Sequence, residues 1–189
     1  MASDEEFERL VESARKASGI LRDAGVPHAL AGGLAAWARG GPKTEHDADF
    51  MVKPDDADEA LDALADAGLR TERPPEGWLY KAYDGDLLID LIFAPSSGPV
   101  TDEMIESAEV LELQAMPMPV ARLEDVMVTK LMALTEQEPD FGGVLEIARS
   151  LREQIDWDEV RERTADSPFA AAFFTLAEEL RIVPAQKKN

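Results

Sequence analysis

Two aspartates separated by a single residue are the part of this sequence that most clearly predicts chemistry. Asp47 and Asp49 begin a segment in which acidic and apolar residues alternate. Alternate side chains of a β-strand point to the same face, so both carboxylates share one face of the predicted strand. Two carboxylates about 4 Å apart repel each other by roughly 4 kcal/mol at an effective dielectric constant of about 20. The pair therefore predicts a bound cation, and Mg²⁺ fits because it commonly binds one or two carboxylates together with substrate phosphates.

Two adjacent glycines precede this pair. Gly32 and Gly33 follow the apolar residues 27–31, a predicted short strand, and lead into residues 34–38, a predicted helix. Glycine lets the backbone approach a ligand closely, and the free amides at a helix start attract anionic oxygens. Alone, a glycine pair is mostly a turn, and two spaced aspartates are mostly a solvated strand edge or a helix cap. The combination predicts a phosphate and metal site if a third carboxylate lies on a later strand.

Asp90 is the candidate for that third carboxylate. It interrupts residues 87–93, which are apolar on both faces and so resemble a strand that is covered on both sides. A buried carboxylate needs a partner or a metal ion. The simpler alternative is an aspartate at a frayed strand end. Residues 78–83 precede a turn at Asp84 and Gly85 and are predicted to form a hairpin with this strand.

A lysine on an apolar helix face is the next unusual feature. Lys130 belongs to a predicted helix that begins at Leu123, and it falls on the stripe formed by Val126, Met127 and Leu131. Its stem is either buried with the ammonium group in water, or the ammonium group reaches an anion in a cleft.

The composition predicts a globular protein of one domain with a helical appendage. The chain has 189 residues and no cysteine, which excludes disulfides and thiolate metal sites. No apolar run approaches the ~20 residues of a membrane span, and the acidic N-terminus lacks the features of a signal peptide, so we expect no membrane partner and a cytoplasmic location. We place a catalytic core in residues 1–98 and a mainly helical region, packed on that core, in residues 99–189.

The residues just described carry a family resemblance. Gly32 and Gly33, then Asp47 and Asp49 after thirteen intervening residues, then Asp90 in an apolar strand, together resemble the polymerase-beta-like nucleotidyltransferase superfamily over about the first half of the chain. The resemblance implies an α+β fold with a small mixed sheet flanked by helices, followed by a C-terminal helical bundle. The sequence departs from the family at Gly33, where many members have Ser, and at Lys43, where relatives often have Arg.

The resemblance also implies roles for these residues. Asp47, Asp49 and Asp90 would bind two Mg²⁺ ions, with Mn²⁺ as an alternative ion, and Asp90 would accept the proton of the attacking hydroxyl. The triphosphate would be bound by two glycines and by lysines, of which Lys130 is our first choice; these residues are Gly32, Gly33, Lys43, Lys81 and Lys130. His46 is interpreted as lining the site, and His28 as a packing residue.

The predicted reaction transfers a nucleoside monophosphate from a nucleoside triphosphate to an acceptor hydroxyl. The segment Ala-Gly-Gly-Leu-Ala, Thr44 and Lys130 look like the small bacterial nucleotidyltransferase toxins of abortive-infection and toxin–antitoxin systems, which implies the 3′ end of tRNA as acceptor and an antitoxin as protein partner. His46, Asp47 and Asp49 also look like the motif of aminoglycoside and lincosamide nucleotidyltransferases, which is the second interpretation. A non-catalytic nucleotide-binding module is the third, and the presence of all three carboxylates disfavours it.

The net charge separates the first two interpretations. The first interpretation of the −20 charge is a solvated surface in a high-salt or high-solubility background. Functionally, such a charge opposes general attraction to nucleic acid and suits a cationic small molecule. A tRNA acceptor therefore requires a local basic patch around the site. The residues available for such a patch are Arg22, Arg39, Lys43, Lys81, Arg122, Lys130, Arg149 and Arg152.

Overall fold

The structure is a computed structural model, and it describes residues 4–44 and 47–185. The helices are α1 (Asp4–Asp23), α2 (Gly32–Ala38), α3 (Ala57–Asp66), α4 (Asp102–Glu106), α5 (Leu123–Met132), α6 (Gly142–Leu151), α7 (Trp157–Arg163) and α8 (Pro168–Glu179), with a 3₁₀ turn at Pro54–Asp56. The strands are β1 (His28–Leu30), β2 (Asp47–Val52), β3 (Arg70–Glu72), β4 (Leu79–Asp84), β5 (Leu87–Ile92), β6 (Glu109–Leu113) and β7 (Met116–Val120). None of the helices within these two ranges is long and apolar enough to cross a membrane.

The strands form one mixed sheet of seven strands in the order β3-β4-β5-β2-β1-β7-β6. The pairs β2–β5 and β1–β7 are parallel, and the other neighbours are antiparallel. The predicted α+β fold with a mixed sheet is therefore confirmed. β6 and β7 follow residue 98 in the chain but belong to this sheet, and the division of the chain at residue 98 stays a prediction.

The alternation in β2 orients the two aspartates as the sequence predicts. Ala48, Phe50 and Val52 are fully buried and belong to one hydrophobic cluster with residues of α1 and α3. Asp47 and Asp49 alternate with them and therefore point away from that cluster. His28 also lies in this interior, where its Nε2 is 2.8 Å from Ser18 Oγ, as expected for a packing residue.

A second hydrophobic cluster joins the four helices that follow residue 122. It comprises buried residues of α5, α6, α7 and α8 together with Ala36 of α2. Helix α5 contacts α2 on one side and the three later helices on the other. Two buried or half-buried ion pairs fix α5 to α7: Arg122 Nη2 lies 2.7 Å from Glu159 Oε2, and Arg163 Nη2 lies 2.7 Å from Asp125 Oδ1. These contacts position the helix that carries Lys130.

Candidate active site

Three carboxylates meet on adjacent strands. Asp49 of β2 pairs directly with Asp90 of β5 in the parallel register, and Asp47 lies two residues before Asp49 on the same face. One carboxylate oxygen from each of these residues lies within 4.8 Å of the other two. Hard divalent cations such as Mg²⁺ prefer oxygen ligands, so the set of donors suits such an ion.

The electrostatics of the cluster also favour a cation. Burial is the largest of the effects that together raise the pKa of Asp49 to about 7; the negative charges of Asp47 and Asp90 act in the same direction, and Lys130 and Lys81 oppose the shift. Burial likewise raises the pKa of Asp90, and the hydrogen bond from Lys81 opposes this. The carboxylates are therefore difficult to ionise together without additional positive charge, which a bound metal ion supplies.

Lys81 lies beside the carboxylates rather than beside the glycines. It stands opposite Asp90 in the antiparallel pair β4–β5, and its Nζ donates to Asp90 Oδ1 at 3.1 Å. The strand order places β4 on the side of β5 away from β2, and therefore away from Gly32. In this structure Lys81 is the counterion of Asp90, whereas the sequence interpretation assigned it to the triphosphate.

The two glycines are required by close packing at the site. Gly32 has a left-handed φ of 57°, and a Cβ atom on it would overlap the carboxylate of Asp49. A Cβ atom on Gly33 would lie 2.6 Å from Oγ1 of Thr44. The backbone of the β1–α2 junction therefore approaches the carboxylate of Asp49 so closely that only a residue without a side chain fits at Gly32.

Lys130 lies between two cavities. It is half-buried on α5 and lines both. The first, of about 380 Å³, is called here the apolar cavity, and its walls include Gly32, Asp49, Met51, Trp78, Ile92, Pro95, Ser96, Val126, Thr129 and Ala133. The second, of about 450 Å³, is called the polar cavity, and its walls include Gly33, Lys43, Thr44, Asp140, Gly143 and Glu146. The position of Lys130 in the cleft is compatible with contact to a bound anion.

Lys43 lines the polar cavity but has a partner at the N-terminus. Its Nζ lies 2.7 Å from Oδ1 of Asp4 and 5.1 Å from the ring centre of Phe7. Both Lys43 and Asp4 are more than half exposed, so this ion pair is weak and exchangeable. His46, which was interpreted as lining the site, lies outside the described residues.

Two cavity residues were missed by the sequence interpretation. Trp78 was predicted to be an ordinary strand residue, yet it precedes β4, is 39% exposed and is one of the residues that line the apolar cavity. Thr129 lies three residues after Val126, so it shares the helix face of Val126 and Lys130. That helical spacing is the signal that could have identified Thr129; nothing local in the sequence distinguishes Trp78.

The basic residues do not form a free patch. Six of the eight candidates form ion pairs, namely Arg22–Asp23, Arg39–Glu109, Lys43–Asp4, Lys81–Asp90, Arg122–Glu159 and Arg152–Glu153. Lys130 and Arg149 form no ion pair with another residue of 4–44 or 47–185. Carboxylates therefore accompany most of the cationic groups that tRNA phosphates would need, and the pairs of Arg22, Lys43 and Arg152 are exposed and weak.

Comparison with known proteins identifies the fold. No family model and no curated protein sequence matches the chain. The solution structure of the antibiotic-resistance factor ANT(2'')-Ia matches with a TM-score of 0.60 and 17% identity, over 90% of this chain and 96% of that one. An antigenic nucleotidyltransferase-like protein from Paracoccidioides brasiliensis matches with a TM-score of 0.54 and 14% identity, over 97% and 95% of the two chains.

A third structure agrees with these two. A putative nucleotidyltransferase from Thermotoga maritima matches with a TM-score of 0.52 and 17% identity, over 80% of this chain and 94% of that one. All three similarities extend over most of both chains, but their identities are too low to show more than the fold. The chain therefore has the fold of the nucleotidyltransferases.

Proposed function

We propose that the protein is a Mg²⁺-dependent nucleotidyltransferase that transfers a nucleoside monophosphate from a nucleoside triphosphate to an acceptor hydroxyl. The observation that carries the proposal is the meeting of Asp47, Asp49 and Asp90 on adjacent strands, beside a backbone that Gly32 keeps free of a side chain. The nucleotidyltransferase fold supports it.

The proposed chemistry is an in-line displacement at the α-phosphorus. The acceptor oxygen forms a bond to the α-phosphorus, the bond from that phosphorus to the bridging oxygen of the β-phosphate breaks, and pyrophosphate leaves. Two metal ions bound by the three aspartates would neutralise the attacking and leaving oxygens. Asp90 accepts the acceptor proton, and Lys130 supplies positive charge to the phosphates.

A small cationic acceptor is the substrate class that the charges favour. The chain carries a net charge of −20, and most of the basic residues that could bind tRNA are paired with carboxylates. A cationic molecule is attracted to such a surface, whereas a polyanion is repelled. The structural similarity to an antibiotic-resistance factor agrees with this preference. Modification of tRNA, and with it a toxin role and an antitoxin partner, stays a prediction that no observation on this structure favours.

The test is pyrophosphate release with a panel of acceptors. The purified protein is incubated with each of the four nucleoside triphosphates, Mg²⁺, and either aminoglycosides, lincosamides or total tRNA. We expect release, and a matching mass increase of the acceptor, with a cationic small molecule only. Labelling of tRNA, with activity that falls steeply as salt increases, would restore the toxin interpretation. An absence of release with all acceptors, in Mg²⁺ and in Mn²⁺, would overturn the proposed reaction.

A matched pair of variants ties the activity to the site. Asp90→Asn should abolish release because it removes both a metal ligand and the proton acceptor. Asp86→Asn changes a surface carboxylate on the same hairpin, which pairs only with Arg9 among the described residues, and it should leave the rate unchanged. Equal loss in both variants would show that the hairpin, rather than Asp90, is needed.

A further inference from the structure

Lys81 lies between two carboxylates, one on each neighbouring strand. It stands opposite Asp90 in the antiparallel pair β4–β5 and opposite Glu72 in the antiparallel pair β3–β4. Residues directly opposite each other on paired strands point to the same face of the sheet, and their Cβ atoms are about 4.5–5.5 Å apart. The three side chains therefore form a row across one face, and Asp49, which is the partner of Asp90 on β2, continues this row.

The two carboxylates that flank Lys81 have different surroundings. The side chain of Asp90 is 10% exposed, and Lys81 Nζ lies 3.1 Å and 3.5 Å from its two oxygens. The side chain of Glu72 is 51% exposed. Its Oε2 accepts a hydrogen bond from the Tyr83 hydroxyl at 3.2 Å and lies 4.0 Å from Arg70 Nη1. Both contacts are made to Oε2, so Oε1 can accept a further donor.

The ammonium group of Lys81 and a metal ion at Asp90 compete for the same oxygens. Asp90 is a metal ligand in the proposed reaction, and a divalent ion there would meet the positive charge of Lys81 at close range, which is unfavourable. The four-carbon stem of lysine is flexible, so a change of side-chain rotamer moves the ammonium group without moving β4. Glu72, on the other side of Lys81, is the carboxylate that can receive it.

We propose that Lys81 has two alternative partners: Asp90 in the metal-free protein, and Glu72 when a divalent ion binds the three aspartates. This assignment deepens the proposed function and rests on its metal site. Lys81 lowers the affinity of the aspartates for the ion, because the ion must displace it. Glu72 offsets part of that cost, because it offers the displaced ammonium group a new partner. Both are positioning residues, since they act through Asp90.

Chemical labelling of lysine amines tests the exchange in the parent protein. A short pulse of the acetylating reagent N-acetoxysuccinimide is applied in EDTA and in increasing Mg²⁺, and peptide mass spectrometry gives the acetylated fraction at each lysine. We expect Mg²⁺ to raise the labelling of Lys81 by about threefold or more, because the amine moves from a buried to an exposed carboxylate. Lys16, which pairs with Asp84 at the end of the same strand, is the internal control and should keep its labelling.

Calorimetry sets the ion concentration for this comparison. Unchanged or reduced labelling of Lys81 at a Mg²⁺ concentration that saturates the protein would overturn the exchange. An absence of binding of both Mg²⁺ and Mn²⁺ would overturn it as well.

Metal affinity gives a second readout. Lys81→Met should lower the Kd for Mg²⁺ by about tenfold or more, because the ion no longer has to displace an ammonium group. Lys16→Met should change that Kd by less than about twofold, because its ion pair is more exposed. Glu72→Gln should raise the Kd by about threefold, since the displaced ammonium group then lacks a charged partner. A Kd that is the same in Lys81→Met and the parent would contradict the competition.

A double variant separates the exchange from simple attraction between Glu72 and the ion. If Glu72 acts by receiving Lys81, Glu72→Gln should change the Kd for Mg²⁺ by less than about 1.5-fold once Lys81 is already methionine. Simple attraction predicts the same loss of affinity with and without Lys81. Equal losses in the two backgrounds would therefore overturn the role of Glu72.

These outcomes are independent of the reaction. If Mg²⁺ exposes Lys81 to the reagent but no acceptor gives pyrophosphate release, the exchange stands and the proposed transfer does not. If pyrophosphate is released while saturating Mg²⁺ leaves the labelling of Lys81 unchanged, the transfer stands and the exchange does not.

Discussion

Lys81 and Asp90 face each other across strands β4 and β5, with Lys81 Nζ 3.1 Å from Asp90 Oδ1. The carboxylate of Asp90 is 10% exposed and the lysine side chain 27%, so water screens the pair only partly. Lys81 is thus a cation built into the chain at the edge of the three carboxylates, and Lys130 adds a second positive charge that acts on Asp49.

Removal of Lys81 should destabilise the metal-free protein. We expect Lys81→Met to lower the free energy of unfolding in EDTA by about 1–3 kcal/mol, because it leaves a buried carboxylate without its donor. Added Mg²⁺ should recover part of the loss, since the ion supplies the missing charge. Urea unfolding with EDTA and with Mg²⁺ measures both quantities.

Lys16→Met is the control, because Lys16 pairs with Asp84 of β4 at a more exposed site. This substitution should lower the free energy of unfolding by at most about 1 kcal/mol. An equal loss in both variants would argue against a special role for Lys81.

The raised pKa of Asp49 predicts that stability depends on pH. The folded-state pKa is about 7, against about 3.9 in an unfolded chain, so between these values the folded state binds the additional proton. The free energy of unfolding of the metal-free protein should therefore decrease as the pH rises from about 4 to about 7. Because Asp49 is half-buried, water weakens the effect, and we expect the free energy of unfolding to fall by about 1–3 kcal/mol over this pH range.

Asp49→Asn should remove this contribution and abolish transfer. The variant should be as stable as the parent at pH 4 or below and increasingly more stable from pH 4 to pH 8 in EDTA, because one of several clustered charges is gone. Glu59→Gln, an exposed position on α3, should leave the pH dependence unchanged. A variant whose unfolding curve still follows the parental pH dependence would show that Asp49 does not titrate in this range.

Local pattern was sufficient to predict the strands of the site but not their contacts. The alternation from Asp47 to Val52 determines which side chains share a face, whatever the rest of the fold does. The position of the hairpin turn decides the partner of Lys81. In the structure the two-residue turn is Gly85 and Asp86, with Asp84 opposite Leu87, and this register sets Lys81 opposite Asp90. A count from the predicted turn at Asp84 and Gly85 would have placed Lys81 opposite Leu88, so the ion pair was missed because the turn lies one residue later.

Other parts of the site depend on tertiary structure. The neighbouring positions of Asp49 and Asp90 come from parallel pairing between strands far apart in the chain, which no local pattern specifies. The pairing of Lys43 with Asp4 joins the loop before β2 to the start of α1, so sequence reasoning could not find the partner. The overlap that Gly32 avoids is likewise visible only when α2 and β2 are placed together.

Gly32 should tolerate no side chain. We expect Gly32→Ala to lower the free energy of unfolding by about 1–3 kcal/mol and to weaken Mg²⁺ binding, since its left-handed φ is unfavourable for alanine and its Cβ would displace the Asp49 carboxylate. Gly19→Ala is the matched control. Gly19 lies inside α1, where a Cβ meets only Met116 at 3.9 Å, so alanine should stabilise the protein by up to about 1 kcal/mol. Thermal unfolding and Mg²⁺ titration of both variants give the comparison. Normal metal affinity in Gly32→Ala would show that the carboxylate has room to move.

The last prediction concerns Lys130, whose helix α5 joins the C-terminal helices to the cleft. Lys130 forms no ion pair with another described residue, so its removal should change the free energy of unfolding by less than about 1 kcal/mol. The rate of transfer should respond differently. We expect Lys130→Ala to lower kcat by about 100-fold or more, because a positive charge at the phosphates is lost. Lys130→Arg should restore kcat only partly, because a planar guanidinium does not replace a compact ammonium group.

Lys53→Ala is the control. It removes a lysine that pairs with Asp56 and Asp102 outside both cavities, and it should keep the parental kcat. Steady-state kinetics and urea unfolding of the four proteins decide the matter. If Lys130→Ala retains a parental kcat, the ammonium group serves only to solvate the end of a buried stem, and α5 then contributes to the site by its apolar wall alone.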